Sequence, residues 1–596
     1  MIAGIINWNS EDGSVTLVER LKVLSVSSED ATIEKFPGGA FSVSKTGSPL
    51  TKRIIKKYQD TIISLEGDFF PQSIESTADF MHDSYSRYNS LYKNYDGLVG
   101  SSWSCSIWDP QKALLSIAND SFGRKSLYYL NYQGMTFFSN SLRRLLRLEL
   151  FTPSLSLLGI ASYFINHMVP PPHTMVNQFK KLGAGEMVAI SDGINIGSER
   201  YQVPKSSPHK NGFEECKEAL LSGFDHYLKN NDGHNFGCFL SGGVDSSVNC
   251  TILAKEFHVK FPTYSLVTDY PSLSEESYSR SISKQLDLPN YEIEFKLTYD
   301  LVEKLIAELE EPLSVAFSPK YVSLELAKKH NTDVISGSDD DLINIPRIPQ
   351  KFPNWMYYYI YKYGLHKIPD MLPSVKGISL VKGLLKSLIY DINGFLESTK
   401  WITNEERREL FNFATNDKLL DSKVMELLAP AYERGMSPVD YYSKYILALS
   451  TFFTQLKKGE WMASLQGVRM YYPFLYEPFV SSVFRLDMRY RENRYFLEAA
   501  FGCPENSAAF HRPKVGLGYP WNFLRRSEET RFKEILLEPD IYWDRIFNRQ
   551  VVERMYYEFV NENKDYGDRL NKIALLKSWC NSQGIEAEFV NDYQAI

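Results

Sequence analysis

The chain of 596 residues carries 66 Lys and Arg against 73 Asp and Glu, which gives a formal net charge of −7. This mildly acidic balance argues against nucleic-acid binding, no apolar run is long enough to span a bilayer, and the N-terminal segment lacks a signal-peptide pattern. Six Cys without a CxxC pair and ten His without an HExxH motif favour a cytoplasmic protein with reduced thiols and disfavour structural zinc. The aromatic content of 14% is the one unusual value.

Short β-like runs dominate the chain before residue 204. Gly, Asn and Asp turns separate these runs, which predicts a domain rich in β-sheet. The runs are MIAGIINW, IISLEGDFF, LVGSSWSCSIWD, ALLSIAND, SLYYLNY, MTFFSN and EMVAISDG. The polar segment 204–212, PKSSPHKNG, contains two Pro and one Gly and is typical of a linker. We therefore predict a first domain over 1–205 and a second over 206–596.

Strands and helices alternate after this linker. The predicted strands are FGCFL, VKFPTYSLVTD, YEIEFK and DVISGS, and the predicted helices between them are SVNCTILAKEF, SEESYSRSISKQLDL and YVSLELAKKH. This alternation predicts a parallel sheet with helices on both faces. From about residue 351 onward the pattern indicates mainly helix.

The loop after the first of these strands carries the clearest chemical signal. Its sequence, SGGVDSS at 241–247, follows the apolar run that ends at Leu240. Gly242 and Gly243 permit close approach of the backbone to an anion, and the amides at a helix N-terminus favour phosphate. The carboxylate of Asp245 repels phosphate, so its sensible role is to hold a Mg²⁺ that bridges the phosphates. An ordinary Gly-rich turn is the alternative, which the strand–loop–helix context disfavours.

The loop lacks the GxxxxGK[ST] pattern and resembles the SGGxDS loop of the ATP pyrophosphatases. With its other segments, the chain resembles the asparagine synthetase B-like superfamily over nearly its whole length. The resemblance is carried by DSFGRKSLYY (120–129), FFSNSLRRLL (137–146), VPPPHTMVNQFKKLGAGEMVAI (169–190), the acidic helix start at Glu275 and Glu276, SGSDDDL (336–342), GVRMYYPFL (467–475) and HRPKVG (511–516). It implies an N-terminal glutaminase-like αββα sandwich of the Ntn type without its nucleophile. It also implies a C-terminal Rossmann-like PP-loop synthetase domain with a helical extension.

Several departures from the family pattern lie in the first domain. The family's glutaminase uses a Cys directly after the initiator Met as its nucleophile, whereas this chain begins Met1-Ile2-Ala3. The RGPD loop is not recognisable, and the NGEIYN segment is reduced to EGDFF at 66–70. We therefore expect a glutaminase-like domain without glutaminase activity. Loss of a residue from the start of the chain is the alternative, and the missing RGPD loop argues against it.

The resemblance implies an ATP-dependent carbon–nitrogen ligase that forms AMP and diphosphate. A carboxylate attacks the α-phosphorus of ATP, and an amine then displaces AMP. By resemblance, Lys514 and Arg512 are the catalytic cations, and Asp245 and Asp341 hold Mg²⁺. The residues expected to bind ATP are Leu240, Ser241, Gly242, Gly243, Asp245, Ser246, Ser247, Ser265, Val267 and Gly337. Three of these, Leu240, Ser265 and Val267, are equally well explained as plain strand residues.

The group that accepts the amine proton stays open. Asparagine synthetases place a Glu where this chain has Ser338, and β-lactam synthetases place there a Tyr paired with a Glu that aligns near Met470. Neither group is present, so an aspartate of 339–341 or the phosphate remains as the acceptor. The expected substrate contacts are Ser338, Asp340, Tyr471 and Tyr472.

An aromatic stretch follows this acidic segment. Seven of the twelve residues in 352–363 are Phe, Trp or Tyr. Core packing of a helix is the default explanation, and a wall that binds peptide is the alternative, because Tyr and Trp provide large amphipathic contact area.

The leading hypothesis is a lasso-peptide cyclase, which closes a macrolactam on a precursor peptide in antibiotic biosynthesis. The intact ATP loop, the retained Lys514 and the absent Cys favour it. It implies a precursor peptide as substrate and a leader-binding protein and leader protease as partners. The alternatives are a small-molecule enzyme, either β-lactam synthetase-like or an ammonia-dependent enzyme like asparagine synthetase, and a degenerate partner protein without catalysis.

Overall fold

The computed structural model describes most of the chain. The described residues are 1–9, 15–24, 31–45, 48–70, 73–201, 212–231, 233–268, 275–313, 317–337, 402–413, 456–486, 488–491, 494–511, 529–562, 564–586 and 588–590. Within these residues, no helix combines the length and the apolar character needed to cross a membrane.

Two antiparallel sheets of six strands each form the first domain. Their strands are β1 (Ile2–Asn7), β2 (Ala31–Phe36), β3 (Gly39–Ser44), β4 (Lys52–Lys57), β5 (Ile62–Asp68), β6 (Ser102–Asp109), β7 (Leu114–Asn119), β8 (Tyr128–Tyr132), β9 (Met135–Ser139), β11 (Lys180–Lys181), β12 (Glu186–Ser191) and β13 (Ile194–Arg200). A further short strand, β10 (Leu155–Ser156), lies outside these two sheets. The first sheet has the strand order β11-β8-β9-β1-β3-β2, and the second has the order β13-β12-β7-β6-β5-β4.

The alternation of side chains along each strand explains how these sheets stack. In β1, Ile2 and Ile6 point into the core between the two sheets, whereas Ala3 and Ile5 point to the opposite face. Leu21 of α1 (Val15–Leu24) belongs to the core on that opposite face. On the second sheet, α2 (Ile74–Tyr88) covers the outer face. The helices α3 (Leu142–Leu146) and α4 (Leu157–Asn166) complete an αββα sandwich, as predicted.

Five parallel strands form the sheet of the second domain. They are β14 (Phe236–Phe239), β15 (Thr263–Val267), β16 (Asn290–Glu294), β17 (Asp333–Ile335) and β18 (Met470–Tyr471), in the order β16-β15-β14-β17-β18. The chain moves from β14 in one direction through β15 to β16, and then continues on the other side of β14 with β17. The carboxyl ends of β14 and β17 therefore flank the point where the strand order reverses, which is where ligands bind in sheets of this type.

Helices surround this sheet. Their bounds are α5 (Gly212–Asn230), α6 (Val244–Thr251), α7 (Glu276–Gln285), α8 (Tyr299–Ile306), α9 (Ser318–His330), α10 (Asn404–Leu410), α11 (Lys457–Gln466), α12 (Glu477–Val483), α13 (Met488–Arg491), α14 (Tyr495–Phe501), α15 (Ser507–His511), α16 (Glu529–Leu537), α17 (Trp543–Ile546), α18 (Arg549–Val560) and α19 (Gly567–Gln583). A π-helical turn, Ile252–Glu256, continues α6. The last strand, β19 (Phe589–Val590), pairs with β10 of the first domain.

The predicted fold class is confirmed, with two kinds of local difference. The helix predicted from Ser247 begins at Val244, which places Asp245 in its first turn. The strands β2, β3, β4 and β13 are absent from the prediction. The runs KRIIKK of β4 and INIGSER of β13 are polar, and they become strands by pairing with their neighbours. The predicted linker lies almost entirely outside the described residues, so the boundary near residue 205 stays a prediction.

Candidate active site

The motif SGGVDSS connects the carboxyl end of β14 to α6. Gly242 has a φ of +77°, and a Cβ at this position would lie 2.5 Å from the Cβ of Tyr278. Only glycine adopts this conformation in this space without strain. The sharp turn brings the backbone amides at the start of α6 to the carboxyl edge of the sheet, which is the arrangement that binds phosphate groups.

Three serine hydroxyls give the loop its shape. Ser241 N–H donates to Ser246 Oγ at 3.2 Å, and Gly243 N–H donates to Ser241 Oγ at 3.2 Å. Ser247 Oγ donates to the carbonyl of Gly243 at 2.6 Å. Ser246 and Ser247 are buried, whereas Ser241 is exposed. Of the three predicted serines, Ser241 is thus the one whose side chain is accessible to a ligand.

Gly337, in the segment that follows β17, packs against this loop. It lies two residues beyond the end of β17, and a Cβ here would lie 2.6 Å from Ser246 N and 2.8 Å from the carbonyl carbon of Asp245. Asn249 Nδ2 donates to the neighbouring carbonyl of Ser336 at 3.2 Å. The SGGVDSS loop and the start of SGSDDDL are therefore in direct backbone contact.

Arg494 is a site residue that the motifs do not reveal. Its Nε and Nη2 donate to Oδ1 and Oδ2 of Asp245, each at 3.1 Å, and both side chains are largely buried. Arg494 directly precedes α14 and has a φ of +62°, a conformation that non-glycine residues seldom adopt. A fixed guanidinium therefore lies beside the predicted phosphate loop.

The donor chemistry at Asp245 fits a magnesium ion. Carboxylate oxygens are preferred Mg²⁺ ligands, and Asp245 places its carboxylate in the first turn of α6. The predicted second ligand, Asp341, lies outside the described residues. Other predicted residues that lie outside them are Ser338, Asp339, Asp340, Arg512, Lys514 and the aromatic stretch 352–363. Their roles stay predictions.

The residues proposed for adenine lie at the ends of β14 and β15. Leu240 N–H donates to the carbonyl of Tyr264 at 2.9 Å, and Ser265 Oγ donates to the carbonyl of Leu240 at 2.7 Å. The carbonyl of Val267 accepts from Phe295 N–H at 2.7 Å. Their polar groups are thus engaged within the sheet, and contact with a nucleotide stays a prediction.

The β18 region faces the interior. Tyr471 is 1% exposed, stacks on Tyr227 with ring centroids 4.7 Å apart and donates its hydroxyl to the carbonyl of Gly223 at 2.8 Å. In this structure Tyr471 is a core residue rather than a substrate contact, because α5 engages its hydroxyl. Tyr472 is also buried, and its hydroxyl abuts Gly459 at the start of α11.

Phe69 links the first domain to this interior. It belongs to the reduced EGDFF segment and has a φ of +63°. Its ring lies 5.3 Å from that of Tyr227 and 5.5 Å from that of Tyr471, and the guanidinium of Arg469 lies 4.8 Å from its centroid. Part of the aromatic excess therefore packs the junction between the two domains.

Buried carboxylates of the second domain accept hydrogen bonds from the first across the same junction. Glu477 accepts from Gly100 N–H at 2.7 Å and from Ser121 Oγ at 2.6 Å. Glu310 accepts from Ser141 Oγ at 2.9 Å and from the N–H of Arg143 at 3.0 Å. Burial raises the pKa of both glutamates, since it disfavours the charged form more than these partners favour it.

Comparison with known proteins decides the family. The asparagine synthase family matches residues 231–581, which is more than half of the chain. The chain belongs to the asparagine synthase family. A glutamine amidotransferase domain matches residues 89–202, within the αββα sandwich.

Individual relatives share little sequence identity with this member of the asparagine synthase family. It is 26% identical over 293 residues to asparagine synthetase [glutamine-hydrolyzing] 1 of Bacillus subtilis (strain 168), covering 46% of this chain and 45% of that protein. The match thus spans less than half of that relative's length. A B. subtilis glutamine phosphoribosylpyrophosphate amidotransferase structure with ADP and GMP has 13% identity and a TM-score of 0.20, and covers 56% of this chain and 81% of its own. An NMN synthetase structure from Francisella tularensis has 15% identity and a TM-score of 0.20, with coverages of 41% and 95%.

Proposed function

We propose that this protein is an ATP-dependent amide synthetase that releases AMP and diphosphate. The observation that carries the proposal is the strand–SGGVDSS–helix loop at the reversal point of a parallel sheet, with Gly337 packed directly on Asp245 and Ser246. This arrangement places helix amides, a carboxylate and a guanidinium at one position. Those three groups together suit a nucleoside triphosphate.

Each group has a separate task in this proposal. The amides at the start of α6 bind phosphate oxygens, and Asp245 provides a carboxylate oxygen to Mg²⁺, which when bound neutralises charge on the triphosphate. Arg494 holds both oxygens of Asp245 and so orients the carboxylate. Lys514 and Arg512, by the resemblance of HRPKVG, stabilise the charge that develops at phosphorus and later at the acyl oxygen.

The reaction has two balanced steps. A substrate carboxylate oxygen bonds to the α-phosphorus of ATP while the bond to the β-phosphate bridge breaks, which gives an acyl-adenylate and diphosphate. An amine nitrogen then bonds to the acyl carbon, AMP leaves with the electron pair of the broken C–O bond, and the amine loses one proton. The identity of the group that accepts this proton is left open.

We further propose that the first domain lacks glutaminase activity and that the amine belongs to a precursor peptide, as in a lasso-peptide cyclase. Glu66 and Asp68, in the segment that resembles NGEIYN, are occupied by ion pairs. Glu66 pairs with Arg53 at 3.1 Å, and Asp68 pairs with Lys125 at 2.8 Å. These pairs occupy the strand end that corresponds to the family's NGEIYN segment. An enzyme without its own ammonia supply uses either free ammonia or an amine that its substrate already carries, and a lasso-peptide cyclase uses the second.

Amidation of a small acid is the second candidate, and the similarity to the B. subtilis asparagine synthetase favours it. The two candidates differ in their substrates. Aspartate with ammonia would give asparagine, whereas a peptide with a side-chain carboxylate would give a macrolactam and lose the mass of one water.

Diphosphate release from ATP, measured across aspartate, small carboxylic acids and candidate precursor peptides, tests the proposal. We expect release with a peptide substrate, no release of glutamate from glutamine, and a KM for ATP that rises about tenfold in Arg494→Ala. Asparagine formation would replace the cyclase assignment by the second candidate. Unchanged turnover in Lys514→Ala would remove that lysine from the active site, and ATP turnover with none of these substrates would contradict the synthetase itself.

A further inference from the structure

Lys458 is a buried cation without a counter-ion. It lies in the first turn of α11 and is 7% exposed, and its Nζ has neither a hydrogen bond nor an ion pair within the described residues. Its neighbour Lys457 is buried to the same extent, but it donates to the carbonyl of Gly123 and to Ser126 Oγ. Burial of a charge without a partner is costly. The folded chain thus keeps a cation that it does not itself neutralise.

A second cation lies close to Lys458. Burial and the charge of Lys320, in the first turn of α9, lower the pKa of Lys458 to about 8, and no carboxylate of the described residues opposes them. Lys320 Nζ also lies 3.3 Å from the position that a Cβ on Gly459, the residue after Lys458, would occupy. Ammonium groups from two helices are therefore neighbours here, and their combined field attracts an anion.

The end of α4 adds no negative charge for Lys458. Burial and three nearby cations, Lys458 among them, lower the pKa of His167, the residue after α4, to about 2, so its imidazole is neutral. Asp568 Oδ1 lies 3.8 Å from His167 Nδ1, but Asp568 Oδ2 pairs with Lys572 Nζ at 3.0 Å. The nearby carboxylate on this side is therefore engaged by another lysine.

The two lysines lie at the carboxyl edge of the sheet that carries the SGGVDSS loop. Gly459 abuts the hydroxyl of Tyr472, which follows β18, and Lys320 Nζ lies 5.9 Å from the centre of the Tyr472 ring. At the same edge, Ser336 N–H donates to the carbonyl of Tyr471 at 2.9 Å. Only β17 separates β18 from β14, so the ends of these two strands are about 10 Å apart. An organic acid of modest size spans this distance.

We propose that Lys458, with Lys320 beside it, binds a carboxylate group, and that this carboxylate belongs to the acid that the synthetase activates. Lys458 supplies one uncompensated charge, which one carboxylate neutralises, whereas a diphosphate ion would bury excess negative charge. The three donors of an ammonium group also suit the two acceptor oxygens of a carboxylate. The role of this carboxylate as substrate rests on the proposed function. The binding itself does not.

Proton uptake connects carboxylate binding to Lys458. Without a ligand the pKa of Lys458 is about 8, and a bound carboxylate raises it because it favours the charged form. At pH 9, binding should therefore take up as much as about one proton per carboxylate. Isothermal titration calorimetry of the full chain with sodium propionate, without ATP, measures this uptake when it is repeated in two buffers that differ in ionisation enthalpy.

Variants of two buried lysines separate this role from a structural one. Lys458→Met should lower the affinity for propionate by about tenfold or more. Lys458→Arg should bind propionate without proton uptake, because a guanidinium stays charged at pH 9. Lys577→Met is the matched control, because Lys577 of α19 is 8% exposed but its Nζ donates to the carbonyl of Ile535 at 3.1 Å. We expect unchanged affinity in this control.

Several outcomes would overturn the proposal. Absence of saturable binding would remove the site, and equal heats with sodium chloride would indicate an ionic-strength effect only. Equal propionate affinity in wild type and Lys458→Met would show that the carboxylate binds elsewhere. Proton uptake that persists in Lys458→Arg would assign the uptake to another group. Inorganic diphosphate that binds more tightly than propionate, and is lost in Lys458→Met, would make this a phosphate site instead.

The binding and the proposed function can fail separately. If propionate binds as expected and diphosphate release from ATP is absent, the proposed function fails while the carboxylate site stands. Where turnover is measurable, Lys458→Met should raise KM for the acid substrate about tenfold and leave KM for ATP nearly unchanged. An unchanged KM for the acid would show that the carboxylate bound at Lys458 is not part of the substrate.

Discussion

The SGGVDSS loop and the domain junction are built in opposite ways. In the loop, the hydrogen bonds from Ser241 to Ser246 and from Ser247 to Gly243 span five and four residues. At the junction, Lys457 Nζ donates to the carbonyl of Gly123 across 334 residues, and Ser121 Oγ donates to Glu477 across 356. The hydrogen bonds of the loop join residues that are close together in the sequence. The hydrogen bonds of the junction join distant residues and form only in the complete fold.

The two regions also differ in how they handle charge. Asp245 and Arg494 are 19% and 14% exposed, so the loop keeps some access to solvent. The junction buries Glu310, Glu477 and Lys457 almost completely. Buried ions lose hydration, and the loss is offset only when every partner is in place. Substitutions at the junction should therefore mainly lower stability, whereas substitutions in the loop should mainly lower the rate of catalysis.

The largest effect is expected for Asp245→Ala in the loop. Loss of this carboxylate removes the predicted Mg²⁺ ligand and the partner of Arg494, so diphosphate release should fall by about 10³-fold, with little change in Tm. Asp225→Ala is the control, because Asp225 is 46% exposed and pairs with Lys229 on the surface of α5. Retained turnover in Asp245→Ala would contradict the assignment of the loop.

Gly337→Ala tests the backbone contact between the two strands of the site. A Cβ at this position would lie 2.6 Å from Ser246 N, and overpacking of this kind costs about 1–3 kcal/mol. If the strain falls on the loop, ATP binding weakens by roughly 10- to 100-fold. Gly197→Ala is the control variant, because among the described residues no heavy atom beyond its chain neighbours lies within 4 Å of its Cβ position. Equal ATP affinity in both variants would show that the contact is not required.

Two neighbouring lysines test the junction. Lys457 Nζ donates to the carbonyl of Gly123 and, at 2.6 Å, to Ser126 Oγ, so Lys457→Met leaves buried acceptors unsatisfied and should destabilise by about 1–3 kcal/mol. Lys458 is also buried but has no hydrogen bond or ion pair within the described residues. Lys458→Met should instead stabilise, by about 1–3 kcal/mol at neutral pH, because methionine avoids the burial of a charge. Denaturant unfolding measures the free energy of unfolding of both variants. Equal changes in the two variants would contradict the predicted difference between Lys457 and Lys458.

The same lysines predict a pH dependence of stability. Burial lowers the pKa of Lys457 and of Lys458 to about 8 from the ordinary value of 10.5. Between these values the unfolded chain binds more protons than the folded chain, so the free energy of unfolding rises with pH across that window, by up to about 3 kcal/mol per lysine. The rise should be smaller in Lys458→Met. Identical profiles for the variant and the wild type would show that Lys458 keeps its ordinary pKa.

The smallest effect is expected at an exposed ion pair outside both regions. Arg280 contacts Glu292 through two hydrogen bonds of 2.7 and 2.8 Å, but its side chain is 55% exposed. Solvent screens such pairs, so Arg280→Ala should leave both Tm and turnover unchanged within error. A clear loss of stability in this variant would mean that surface pairs contribute as much as the junction does.

Sequence patterns anticipated the architecture because periodicity and loop chemistry are local. The alternation of Ile2, Ile5 and Ile6 between two cores follows from strand geometry, and the position of SGGVDSS follows from a strand that ends at Phe239. Arg494 was not predicted as a site residue, because its partner Asp245 is 249 residues away in the chain and sequence motifs relate only residues at short, fixed spacings.

The sequence by itself thus determined the β-rich character of the first domain, the parallel sheet of the second and the position of the SGGVDSS loop, since each depends on residues that are close in the chain. The αββα sandwich was predicted through the resemblance to the family. The tertiary structure alone decided that Phe69 fills the junction, that Tyr471 is a core residue, and that Lys125 is shared by Asp68 and Glu460. These features arise where side chains from distant segments compete for the same buried space and charge. Only the folded chain brings those segments together.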